Sequence, residues 1–262
     1  MERPNVILIN CDDLGYGDTG CYGSTVNDTP HIDRLAAEGT LFTDFYVASP
    51  VCTPSRAALL TGCYPPRISF DEFDGEGVLF PGQPFGIGAE ELTLGELFGG
   101  AGYATKAIGK WHVGDQPEFL PLRRGFDEYF GLPYSNDMGR QRGRENAPPL
   151  PLIENESVLQ AQPEQAGLTE RYTMEAISFI RRQVQASEGG PFFLYFAHMY
   201  VHVPLFVPDS FMRQSRNGAY GGAVAAIDWS LGVLLAELDR LKIAEKTLII
   251  FTSDNGSRAR DE

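Results

Sequence analysis

Apolar residues in this chain gather in short runs set apart by polar, Gly-rich and Pro-rich stretches. Val6 to Asn10 reads VILIN, bounded by Pro4 and by Asp12-Asp13. A β-branched run of that length predicts a strand buried on both faces. Phe192 to Ala197 (FFLYFA) and Leu248 to Thr252 (LIIFT) predict two more, and Tyr103 to Ile108 a short fourth. A different spacing marks the helices. Val224, Ile227, Leu231, Leu234, Leu235, Leu238 and Leu241 recur at helical intervals and predict a helix with one buried face. Thr29-Pro30 opens a helix through Ala37, with proline at its first position and Gly39 as its stop. Further helices are predicted from Pro54-Ser55 to Gly62, from Thr93 to Ala101 and from Thr169 to Gln185. Residues 65–90 read as loop, and 117–163 as mostly irregular.

Strands and helices therefore alternate, without an internal repeat. That order predicts an α/β fold around a largely parallel sheet flanked by helices. Ligands in such folds sit beyond the carboxyl ends of the strands. Asp12-Asp13 and Asp254-Asn255 both fall just past the ends of predicted strands, so topology alone brings them to one place.

Composition changes the picture only at its edges. The chain has 262 residues, 43% hydrophobic and 21% charged, which excludes a disordered chain, a fibre and a small disulfide scaffold. Its net charge of −14 argues against nucleic acid or an anionic membrane as partner. No run reaches the ~18 apolar residues of a membrane span. The N-terminus shows no export signal, so the sequence as written predicts a cytoplasmic protein, or a periplasmic or secreted one if a signal has been removed. Four cysteines, Cys11, Cys21, Cys52 and Cys63, permit two disulfides by number, but a domain of this size does not need them.

The candidate chemistry starts with oxygen. Two carboxylates at one strand end and an Asp-Asn pair at another supply hard ligands that suit Ca²⁺ or Mg²⁺. Taken singly, each pair serves equally well as a turn cap. Cys52 lies just before a predicted helix N-terminus, where free N–H groups favour an anion, and Arg56 follows one turn later. The alternative is a buried cysteine beside a capped helix. His31 and His198 read as structural. Arg140, Arg142 and Arg144 lie in a polar loop, read as solvated in preference to facing a polyanionic ligand.

The string Cys52-Thr53-Pro54-Ser55-Arg56, continued through Leu59-Leu60-Thr61-Gly62, resembles the signature of the sulfatase family. In that family the cysteine is converted to formylglycine by a maturation enzyme. A second family motif is matched by Gly102 to His112, reading GYATKAIGKWH. Pro4 to Asp18, Thr29 to Ala36 and Arg124-Gly125-Phe126-Asp127 are also typical of it. The resemblance spans essentially the whole chain and is nearest the arylsulfatase A and N-acetylgalactosamine-6-sulfatase branch. It implies an alkaline-phosphatase-like α/β fold and hydrolysis of sulfate monoesters, with a sulfated small molecule or glycan as substrate. A phosphodiester or phosphonate monoester hydrolase of the same superfamily, or an inactive fragment, is the alternative. By resemblance Asp12, Asp13, Asp254 and Asn255 are Ca²⁺ ligands, joined by formylglycine at Cys52. Arg56 and Lys110 hold the formylglycine and sulfate, His112 is the base, His202 stands near the leaving oxygen, and Ser135 contacts sulfate. The family also carries a later active-site lysine, further strands and a C-terminal subdomain. The expectation is therefore that residues 1–262 form an incomplete N-terminal catalytic domain.

Overall fold

The computed structural model describes residues 3–186 and 189–257. Its centre is a seven-stranded mixed sheet. The strands are β1 (Asn5–Cys11), β2 (Ala104–Lys110), β3 (Glu128–Leu132), β4 (Pro151–Glu154), β5 (Ser157–Ala161), β6 (Phe192–Ala197) and β7 (Thr247–Ser253). They lie in the order β5-β4-β3-β2-β6-β1-β7. Strands β3, β2, β6, β1 and β7 are mutually parallel, while β4 and β5 run as an antiparallel meander at one edge. The expected largely parallel α/β sheet is thus present.

The helices are α1 (Pro30–Glu38), α2 (Cys52–Thr61), α3 (Leu94–Gly100), α4 (Leu168–Gln185), α5 (Asp209–Met212) and α6 (Gly218–Arg240). The period of two along the strands divides the core into two layers. From β1, Ile7, Ile9 and Cys11 face one layer with α1, α4 and α6, while Val6 and Leu8 face the other with α2 and α3. Strand β6 divides likewise, Phe192, Leu194 and Phe196 against Phe193, Tyr195 and Ala197. Both faces of β1 and β6 are covered, which is why their sequences read as unbroken apolar runs. Helix α6 is apolar enough by composition to cross a membrane, but 12 of its residues, Leu231 and Leu234 among them, are buried on the sheet and on α1 and α4.

Two expectations need correction. Residues 117–163, otherwise mostly irregular, carry three strands that the sequence pattern did not predict, β3, β4 and β5. Each is only four or five residues long, and β5 is exposed throughout, so no apolar period marks it. Helix α2 begins at Cys52, not after it. Pro54 falls inside the first turn, where its missing N–H has no intrahelical partner to lose. The cysteine therefore sits on the helix itself.

Candidate active site

Five parallel strands deliver the predicted residues to one end of the sheet. Asp12 and Asp13 follow β1, Lys110 ends β2, Ser135 follows β3, His202 follows β6, and Asp254 and Asn255 follow β7. Cys52 and Arg56 enter from the first turns of α2. Hydrogen bonds lock the strand ends together. Asp254 N–H donates to the Cys11 carbonyl at 2.9 Å, and Asp12 N–H donates to the Tyr200 carbonyl at 2.9 Å. Two backbone devices aim the side chains. Asp13 (φ 60°) and His112 (φ 61°) both take left-handed conformations, which Asp and His adopt more readily than most residues. Gly109 has φ +96°, and a Cβ there would lie 1.8 Å from the Ala197 carbonyl oxygen, so only glycine fits beside β6 at the point where Lys110 turns into the site.

Asp12, Asp13 and Asp254 each present a carboxylate oxygen within 4.8 Å of the others. Asn255 Nδ2 donates to Asp13 Oδ1 at 2.6 Å. Arg56 is fully buried; its Nε donates to Asp254 Oδ2 at 2.9 Å and its Nη1 to the Lys110 carbonyl at 2.9 Å. Its Nη2 lies 2.8 Å from Asp254 Oδ2 and 3.4 Å from Asp12 Oδ1. Lys110 Nζ reaches Asp12 Oδ2 at 2.7 Å and Ser135 Oγ at 3.2 Å. Burial alone would raise the Asp12 pKa, but Lys110 and Arg56 outweigh it and hold the carboxyl well below its usual range. Asp254 goes the other way: burial, reinforced by the charge of Asp12, pushes it up.

Those charges bear on whether a cation belongs here. Three carboxylates face two buried cations, Arg56 and Lys110, which leaves an uncompensated negative charge. Asp12 Oδ1 and Asn255 Oδ1 are buried with no hydrogen-bond partner among the described residues. Orphaned oxygens on an over-negative cluster fit a hard divalent cation.

His112 Nε2 lies 2.9 Å from the Leu79 carbonyl, and its Nδ1 is buried without a partner. A carbonyl only accepts, so Nε2 carries the proton and Nδ1 keeps a lone pair. Burial, helped by the charge on Lys110, holds the ring's pKa well below its ordinary value. His202 Nε2 is 4.0 Å from Asp13 Oδ2, too far for a hydrogen bond. Cys52 is buried, and burial pushes its thiol up to about 11.

All ten predicted positions thus gather at one end of the sheet. Sequence reasoning missed three supports. The Leu79 carbonyl fixes the His112 tautomer, Ser55 Oγ donates to the Asp254 carbonyl, and Thr53 Oγ1 accepts from Leu79 N–H at 3.2 Å. Ser55 and Thr53 belong to the CTPSR string and could have been suspected from it. A backbone carbonyl carries no sequence signal.

Residues 4–261 match the sulfatase family model. This chain belongs to the sulfatase family. Among curated sulfatases, it is 44% identical to the N-acetylgalactosamine-6-sulfatase of Sus scrofa over 98% of this chain and 51% of that protein. It is 41% identical to the arylsulfatase A of Homo sapiens over 97% of this chain and 52% of that protein. The chain therefore spans about half the length of the curated relatives it matches. Among solved structures, Ps i-CgsB in complex with k-i-k-neocarrahexaose superposes with a TM-score of 0.84 at 37% identity, covering 98% of this chain and 59% of that one. The expected alkaline-phosphatase-like sulfatase fold is confirmed.

Proposed function

We propose that this site hydrolyses sulfate monoesters, aryl or carbohydrate, with formylglycine at position 52 and a Ca²⁺ ion held by Asp12, Asp13, Asp254 and Asn255. Mg²⁺ is the alternative ion. The observation that carries the proposal is the convergence of these oxygens, Arg56 and Lys110 on the first turn of α2. When present, the aldehyde hydrate supplies an oxygen nucleophile with a second hydroxyl for release, and the cation supplies Lewis acidity at sulfate. An unmodified Cys52 suits the reaction poorly, because its raised pKa keeps it a thiol at neutral pH.

The remaining work falls to the chain's own side chains. Lys110 spends two donors on Asp12 and Ser135 and keeps a third for a sulfate oxygen. The Ser135 hydroxyl stands beside it to contact the same group. Arg56 donates to Asp254 and to the Lys110 carbonyl and pairs electrostatically with Asp12, so it holds the carboxylates in place and offsets their charge. His112, neutral with an open Nδ1, accepts a proton at that atom. His202 is placed to give a proton to the leaving oxygen, where negative charge develops as the ester bond breaks. The partners of this reading are a sulfated small molecule or glycan and the maturation enzyme that acts on Cys52. Similarity to Ps i-CgsB, solved with a neocarrahexaose, supports the carbohydrate class.

Rates of matured protein on an aryl sulfate, an aryl phosphodiester and a phosphonate monoester test the proposal. It predicts preference for the sulfate, abolished by chelation and restored by Ca²⁺. Preference for phosphorus would overturn it.

A further inference from the structure

The reaction centre accounts for one sulfate group. It leaves unused Arg140, Arg142 and Arg144, which alternate along the loop that follows Ser135. The structure places all three on the lining of a cavity of about 890 Å³. His202 lines the same cavity and also stands 4.0 Å from Asp13, so the cavity reaches the edge of the reaction centre.

What sets these three apart is that they gather on one cavity without an ion pair; Arg3, Arg67 and Arg171 also lack one among the described residues but do not line it. Arg34, Arg123, Arg181, Arg182, Arg216 and Arg240 each meet a carboxylate. Arg140, Arg142 and Arg144 form no ion pair among the described residues, although the chain is rich in acids. Arg140 gives Nε to the Ala147 carbonyl at 3.2 Å, and Arg144 gives Nη1 to the Asp137 carbonyl at 3.1 Å. Those bonds shape the loop and use one N–H of the five on each guanidinium. Arg142 spends none. Two carboxylates, Asp137 and Glu164, also line the cavity, so three guanidiniums outnumber them.

We infer that this cavity is a second anion subsite, taking a further sulfate or a carboxylate on a neighbouring sugar of the same oligosaccharide. The inference rests on the proposed sulfate-ester chemistry of the reaction centre and deepens it. Guanidinium matches the planar face of two sulfate or carboxylate oxygens, and an arginine not already paired loses no partner on binding. Gln141 and Gln162 on the same lining serve the loop itself: Gln141 Nε2 donates to the Asp137 carbonyl, and Gln162 accepts from Leu150 N–H and donates to the Arg140 carbonyl. The substrate class is then a glycan charged at more than one position.

Calorimetric titration of protein with unmodified Cys52 tests this without turnover. The probes are a monosulfated disaccharide, the same disaccharide with a second sulfate on the neighbouring sugar, and a version with a uronic acid there. The doubly charged probes should bind roughly tenfold more tightly than the monosulfated one, less so at high salt. Arg142→Ala should remove most of that advantage and Arg142→Glu all of it, with monosulfate affinity changed less than about twofold. A difference between the sulfate and uronate probes identifies which anion the subsite prefers. Equal affinity for all three probes, no binding of the charged probes, or equal weakening of every probe by Arg142→Glu would overturn the inference. Thermal unfolding of both variants checks that they fold. Aryl sulfate turnover by matured Arg142→Ala should match wild type; if wild type itself shows none, the reaction-centre proposal fails while the binding result still stands.

Discussion

At the residue scale the site is a balance of buried charges, and single groups carry its logic. Asp12, Asp254, Arg56 and Lys110 are each almost fully enclosed, so their energies depend on each other more than on solvent. His112 and His198 show how one residue type divides by surroundings. Both are buried, yet only His112 has a carbonyl on Nε2 and a site on its other side. His198 packs its ring 4.3 Å from Phe196, and burial pushes its pKa down to about 3. The unfolded chain carries this imidazole near 6.5, so it binds the proton more strongly than the fold does between those values. Stability from His198 is therefore full above about pH 6.5 and is lost as pH falls toward 3. At pH 5 the loss is about 2 kcal/mol. Denaturant unfolding of wild type and His198→Phe at pH 7 and pH 5 checks this. The acid-induced loss should shrink by about that amount in the variant, and equal losses in both proteins would contradict the assignment. The structural character of His198 was legible from its place at the end of an apolar strand. The tautomer of His112 was not legible from residue type, because it is set by a backbone carbonyl thirty-odd residues away.

At the element scale, strand ends do the assembly. The two most enclosed strands, β1 and β6, announce themselves by apolar runs because burial on both faces forces such runs, and β7 carries a similar run although it is only half covered. The meander β3-β4-β5 was hidden, since β4 opens with Pro151 and β5 is exposed along its length. Asp12 and Asp254 could thus be paired from topology, whereas Ser135, carried by β3, could be placed only by resemblance. Helix α2 makes the sharpest element-level prediction. Every residue from Cys52 to Ala57 is buried, which leaves a maturation enzyme no access to the cysteine in the folded chain. The proposed conversion of Cys52 would then precede folding. A peptide spanning residues 50–62 should be converted efficiently, and the purified folded protein hardly at all over the same time, as read by mass spectrometry of position 52. Equal conversion of both would contradict the burial argument.

At the scale of the whole molecule, the net charge of −14 is a background against which the arginine cavity stands out as a local exception. The sheet gathers the proposed ligands from β1 and β7, adjacent in space though more than 240 residues apart in sequence, so the proposed cation site forms only when the long crossover through α4, β6 and α6 is complete. The proposed cation binding would therefore be coupled to folding. Beside β1, β7 keeps Leu248 and Ile250 about half exposed, at 50% and 44%. The central claim is that chemistry at this sheet end depends on an aldehyde at position 52. The most direct test measures sulfate release from an aryl sulfate in preparations matured to different extents, alongside the mass of the peptide containing residue 52. Turnover should rise in proportion to the fraction in which one oxygen has replaced the sulfur and two hydrogens, and should vanish in Cys52→Ala. Full turnover by protein whose residue 52 is still cysteine would contradict the account.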